Sequence, residues 1–97
     1  MIVENNRMTF DRQALDDAHR HSIRNRSEVY GSSQCGCFYC LRTFPPAEIG
    51  RWLTEGDGTA ICPHCDIDAV LGSASSLPVT DEAFLKAMNE HWFSVAA

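Results

Sequence analysis

The sequence predicts an α+β fold in which a β-hairpin is stapled by a metal ion and flanked by an N-terminal and a C-terminal helix. Four cysteines stand as two pairs, Cys37-Phe38-Tyr39-Cys40 and Cys62-Pro63-His64-Cys65, which is the number and type of donor that a structural Zn²⁺ site uses. Between the pairs, short apolar runs alternate with Pro and Gly turn signals, as strands do. On either side of this unit the apolar residues recur at helical spacing.

Residues 1–8 show no periodicity and read as a flexible tail, leaving 9–97 as a single zinc-binding domain. A helix is expected over about 11–30. Its stripe is Leu15, His19, Ile23, Arg26 and Tyr30, with Phe10, Ala14 and Ala18 beside it. On another face Asp16, Arg20 and Arg24 stand four residues apart, a spacing that supports weak ion pairs. Gly31-Ser32-Ser33 breaks the pattern and opens the zinc unit, 33–72.

Within that unit, residues 41–44 read as a strand, and Pro45-Pro46 opens a helical turn at Ala47-Glu48-Ile49. Trp52 and Leu53 resume an apolar segment, Gly56-Asp57-Gly58 is a tight-turn signal, and Thr59-Ala60-Ile61 returns the chain to Cys62. Residues 66–72 have the form of a short helix, with Asp66 and Asp68 in the first turn and Gly72 at the end. A helix there makes the unit a treble clef; an extended chain makes it a zinc ribbon. After a small-residue connector, Thr80 offers an N-cap, and Val79 and Phe84 stand where a hydrophobic staple places them. A C-terminal helix follows over about 81–93, with Phe84, Leu85, Met88 and Trp92 expected to pack on the hairpin against Trp52 and Phe44.

Two residues between paired cysteines let a tight turn present both sulfurs on one side, so Cys37, Cys40, Cys62 and Cys65 are the expected ligands of one Zn²⁺. A four-cysteine shell leaves no position for water or substrate, so the metal is expected to be structural. Cys35 is spare: Cys35 and Cys40 are separated by four residues, and a small buried thiol is the simpler role. His64 is expected to point away from the metal. His19 and His21 fall on different sides of a helix and His91 on a helix face, so none of the three is expected to share a metal. Asp66 and Asp68 diverge on a helix, and the hairpin lacks the paired histidines of a His-Asn-His nuclease. Of Phe38 and Tyr39, one is expected to face solvent.

The formal net charge is −5, and four zinc-bound thiolates add two more negative charges. To Tyr30 the charges balance; the acidic excess lies in the remainder, where only Arg42, Arg51 and Lys86 are basic. That distribution is expected to steer a basic protein partner and to repel nucleic acid. The expected function is therefore a non-enzymatic protein–protein interaction module, of which an inhibitor or immunity-type protein is the concrete form. The alternative is a regulator that contacts nucleic acid through Arg20, Arg24 and Arg26. No apolar run approaches the roughly 20 residues of a membrane helix. The first residues lack a basic stretch leading into an apolar one, and unpaired thiols suit a reducing compartment, so a cytoplasmic location is expected.

The run Cys37-Phe38-Tyr39-Cys40-Leu41 through Pro46, Glu48-Ile49 and Trp52, with Thr59-Ala60-Ile61-Cys62-Pro63-His64-Cys65, Ile67-Asp68 and Gly72, resembles a family of small bacterial cytoplasmic zinc-finger proteins of uncharacterised function. The likeness continues weakly through Pro78 and Phe84-Leu85 to Trp92-Phe93, and the first helix lies outside it. The resemblance implies zinc held by the same four cysteines and implies no activity. Asp66 stands where many knuckles place Gly.

Overall fold

The computed structural model describes residues 10–93; the tail expected at 1–8 lies outside them. Helix α1, Arg12–His19, starts where its cap is: the Asp11 carboxylate accepts the Ala14 N–H at 2.8 Å, answering one of the donors a helix start leaves free. The single helix expected over 11–30 is broken. After α1 come a 3₁₀ turn at Arg20–Ser22, an extended Ile23 and a left-handed Arg24 with φ 47°, and then a second short helix, α2, Arg26–Tyr30.

Tertiary hydrogen bonds replace the helical ladder at the break. The Arg24 N–H donates to Thr59 Oγ1 at 2.7 Å. The buried amide of Asn25 donates to the carbonyls of His21 and Val70, both at 2.9 Å, and accepts the Ala60 N–H at 3.1 Å. The ion pairs expected among Asp16, Arg20 and Arg24 do not form; Asp16 instead pairs with His91 at 2.8 Å.

Strand β1, Cys35–Cys37, is central in a three-stranded antiparallel sheet, between β2, Thr43–Phe44, and the strand Val70–Gly72. Between these in sequence, a 3₁₀ turn at Pro46–Glu48 leads to a separate hairpin of β3, Trp52–Leu53, and β4, Thr59–Ala60, with Trp52 opposite Ala60. Val70–Gly72 is therefore β5, and Cys35 lies opposite Gly72 on one side and Phe44 on the other.

The helix expected at 66–72 is absent: Val70–Gly72 is a strand. Ala69, Val70 and Leu71 are all buried. Such a continuous apolar run fits a strand covered on both faces as well as it fits a helix, and the free edge of β1 decides between them. Pairing there satisfies backbone groups that a local helix would leave open on β1.

Helix α3, Glu82–Phe93, begins one residue later than expected: Asp81, not Thr80, is the cap, accepting the Ala83 N–H at 2.9 Å. Val79 and Phe84 are both buried, as are Leu85 and Met88. Its main partner differs from the expected one. α3 packs on α1 and on the first cysteine turn, with Phe84 edge-on to Phe10 and the Trp92 indole against the His19 ring at 4.1 Å. Trp92 Nε1 donates to the Leu15 carbonyl at 3.2 Å, and the Asn89 amide donates to the carbonyls of Phe38 and Tyr39. Trp52 instead packs against Tyr30, ring centroids 5.2 Å apart, and Phe44 against His64.

Candidate metal centre

The two cysteine turns repeat one backbone pattern. In the first, Leu41 N–H donates to Cys37 O at 2.8 Å and Cys37 N–H to Arg42 O at 2.9 Å; in the second, Asp66 N–H donates to Cys62 O and Cys62 N–H to Ile67 O, both at 3.0 Å. The residue after each pair is left-handed, Leu41 at φ 68° and Asp66 at φ 65°. Asp tolerates that conformation, whereas for Leu it costs roughly 1–2 kcal/mol. The non-Gly residue at 66 thus leaves the turn intact.

Both turns aim backbone donors at sulfur. Tyr39 N–H reaches Cys37 Sγ and His64 N–H reaches Cys62 Sγ, each at 3.4 Å. The second cysteine of each pair receives the N–H two residues on, from Arg42 at Cys40 and from Ile67 at Cys65.

The four sulfurs lie within 4.8 Å of one another. Cys37 and Cys65 are 3.7 Å apart, and Cys40 and Cys62 are 3.8 Å apart. A tetrahedral ion with Zn–S bonds near 2.3 Å sets its sulfurs about 3.8 Å apart, so two of the sulfur pairs already stand at that spacing and the group is consistent with one metal ion. Cys37 and Cys62 are fully buried and Cys40 and Cys65 half-buried.

Electrostatics agrees with the geometry. Burial pushes the Cys37 thiol far up and that of Cys65 to about 11. At Cys40 burial also opposes ionisation, but the Arg42 N–H and the neighbouring thiols outweigh it and hold the pKa below the usual thiol value. Four adjacent thiolates in such a site need a cation at their centre.

Cys35 is fully buried, outside the four-sulfur group, and its pKa is pushed up to about 11 by burial. It is a neutral thiol in the sheet. The other singled-out residues are dispersed. His21 pairs with Glu28 at 3.0 Å, and Asp66 with Arg51 at 3.0 Å. His64 is more engaged than expected: Nε2 pairs with Glu48 at 3.2 Å, Nδ1 lies 3.3 Å from Arg42 Nη1, and the ring faces Phe44. It ties the second cysteine turn to the strand leaving the first. Phe38 is buried while Tyr39 is exposed, as expected of one of the pair.

Sequence reasoning missed Asn25 and Asp57. The Asp57 carboxylate accepts the Ser27 N–H at 2.9 Å and its hydroxyl at 3.2 Å, holding the start of α2 from thirty residues away. The polar residue before α2 and the Gly-Asp-Gly turn were the available signals; their meeting was not. A cleft of about 220 Å³ beside the second turn is lined by Gly50, Arg51, Ile61, Cys62, Pro63 and Asp66. Of that lining, Cys62 belongs to the four-sulfur group and Asp66 pairs with Arg51.

The chain matches no protein-family model, no curated protein and no solved structure. Among the described residues, no helix is long and apolar enough to cross a membrane.

Proposed function

We propose that this chain is a non-enzymatic module that binds another protein, with one structural Zn²⁺ held by Cys37, Cys40, Cys62 and Cys65. The observation that carries it is the closed four-sulfur shell. Tetrahedral thiolate sets select Zn²⁺ or iron, and a site whose four positions are all protein sulfur offers nothing to a substrate. What such a metal supplies is rigidity for the surface around it. Thiolate ligands suit a reducing, cytoplasmic setting.

The basic partner expected from net charge has weaker support than the protein-binding role itself. Asp57 is engaged at the start of α2 and Asp66 with Arg51, so two of the acids on the zinc-bearing part already have partners within the fold.

Elemental analysis of reduced, purified protein is expected to give one zinc per chain, and Cys62→Ser to lose it together with the fold. Cobalt substituted for zinc is expected to show the absorption of a tetrahedral thiolate complex. A folded metal-free protein, or iron in the site, overturns the metal assignment. For the partner, affinity capture from the native cell followed by reconstitution from purified components is expected to give a protein complex; a complex that forms with nucleic acid alone overturns the binding role.

A further inference from the structure

The β3–β4 hairpin and the end of α2 present an aromatic shelf edged by two arginines. The Tyr30 and Trp52 rings pack with centroids 5.2 Å apart, tilted by 44°, and the Arg26 guanidinium lies 5.0 Å from the Trp52 ring centroid and 5.5 Å from that of Tyr30. Arg24 lies across Gly56 and Arg26 across Gly58, so the two side chains flank Asp57. The break in the N-terminal helix creates this arrangement. In one continuous helix, residues 24 and 26 would diverge from a common face.

Among the described residues no carboxylate lies within ion-pair distance of Arg24 or Arg26, and both residues are exposed. Asp57, the acid between them, already holds Ser27 with both oxygens. The Arg26 guanidinium lies over the two rings, and a guanidinium so placed can offer N–H donors to a planar acceptor. Apolar surface accompanies the charge: Tyr30 is 57% exposed.

We propose that Arg24, Arg26, Tyr30 and Trp52 form a docking face for an acidic, apolar-bearing segment of a partner protein, its carboxylates on the guanidinium edges and its apolar side chains on the shelf. The proposal rests on the protein-binding role above and adds the chemistry of the partner. Bidentate guanidinium–carboxylate pairing provides specificity, and exposed aromatic and arginine side chains are the residue types that anchor interfaces. A nucleic acid is disfavoured because its continuous row of phosphates extends beyond the two arginines onto a chain of net charge −5. A short acidic segment responds instead to charges within about 8 Å, the Debye length at physiological salt.

The test uses the full zinc-loaded chain and a fluorescein-labelled synthetic peptide of alternating glutamate and leucine, read by anisotropy at two salt concentrations. A lysine–leucine peptide and a single-stranded oligothymidylate serve as competing probes. Saturable binding of the glutamate peptide is expected, weakened about tenfold or more by Arg26→Ala and by Arg24→Asn, which keeps a residue that tolerates positive φ. Lys86→Ala, on α3, is expected to leave binding unchanged. Absence of saturable binding overturns the proposal, as does equal binding by the arginine variants, or tighter binding of either competing probe. Zinc content measured on the same samples separates the two claims: a zinc-free folded sample strikes at the metal site, and a zinc-loaded sample that ignores the peptide strikes at the docking face alone.

Discussion

Asn25 uses both ends of its side-chain amide inside the protein, bonding the turn before it at His21 O, β4 at Ala60 N and β5 at Val70 O. Nothing adjacent in sequence marks it: a polar residue between Arg24 and Arg26 on a helical pattern reads as solvated surface. Burial reverses its meaning, since each of its three partners would otherwise be an unpaired polar group. Asn25→Ala is therefore expected to cost about 2–4 kcal/mol, lowering Tm by roughly 10–25 °C in a domain of this size, with zinc content retained. A melt unchanged within error would show that water replaces the amide. By contrast the four cysteines were legible one by one, because a C-x-x-C turn closes through backbone bonds within a few residues, and the structure repeats that local pattern twice.

At the scale of elements, local codes and long-range pairing separate cleanly. Helix α3 was legible because its cap and buried stripe are all within one stretch of chain; even there the cap moved by one residue, to Asp81. Residues 66–72 were not, because an apolar triplet after two acids fits a helix start and a buried strand alike, and the choice depended on β1, some thirty residues earlier. β1 also explains Gly36. A Cβ there would collide with the Val79 carbonyl and crowd Leu85, so the chain leading into α3 lies directly on the strand. Gly36→Ala is expected to destabilise by about 1–3 kcal/mol, the usual range for overpacking, seen as a lower urea midpoint at unchanged m-value. A midpoint equal to that of the parent protein would mean that the Val79 segment moves aside at little cost.

For the whole molecule the four-sulfur group is the junction through which the sheet, its turns and the docking of α3 on the first cysteine turn are connected. A structural zinc contributes roughly 10–16 kcal/mol in small peptides, against a usual domain margin of about 5–15 kcal/mol. Removing the metal with a strong chelator at neutral pH under reducing conditions is accordingly expected to abolish the folded circular-dichroism signal in one transition, reversed by added zinc. A chelated protein that keeps its cooperative melt would show that the apolar core suffices. The sequence by itself determined the class of fold, the four-sulfur group, the burial of Phe84, Leu85 and Met88 on α3, though not of Trp92, which is exposed, and the approximate span of that helix, because spacing, capping and periodicity act over a few residues and are written there. Tertiary structure alone decided the break between α1 and α2, the strand at Val70–Gly72 and the aromatic shelf flanked by Arg24 and Arg26. Each depends on hydrogen bonds or stacking between residues far apart in the chain, such as Asn25 with Ala60 and Val70, and their strength exists only once burial has removed water as the competing partner.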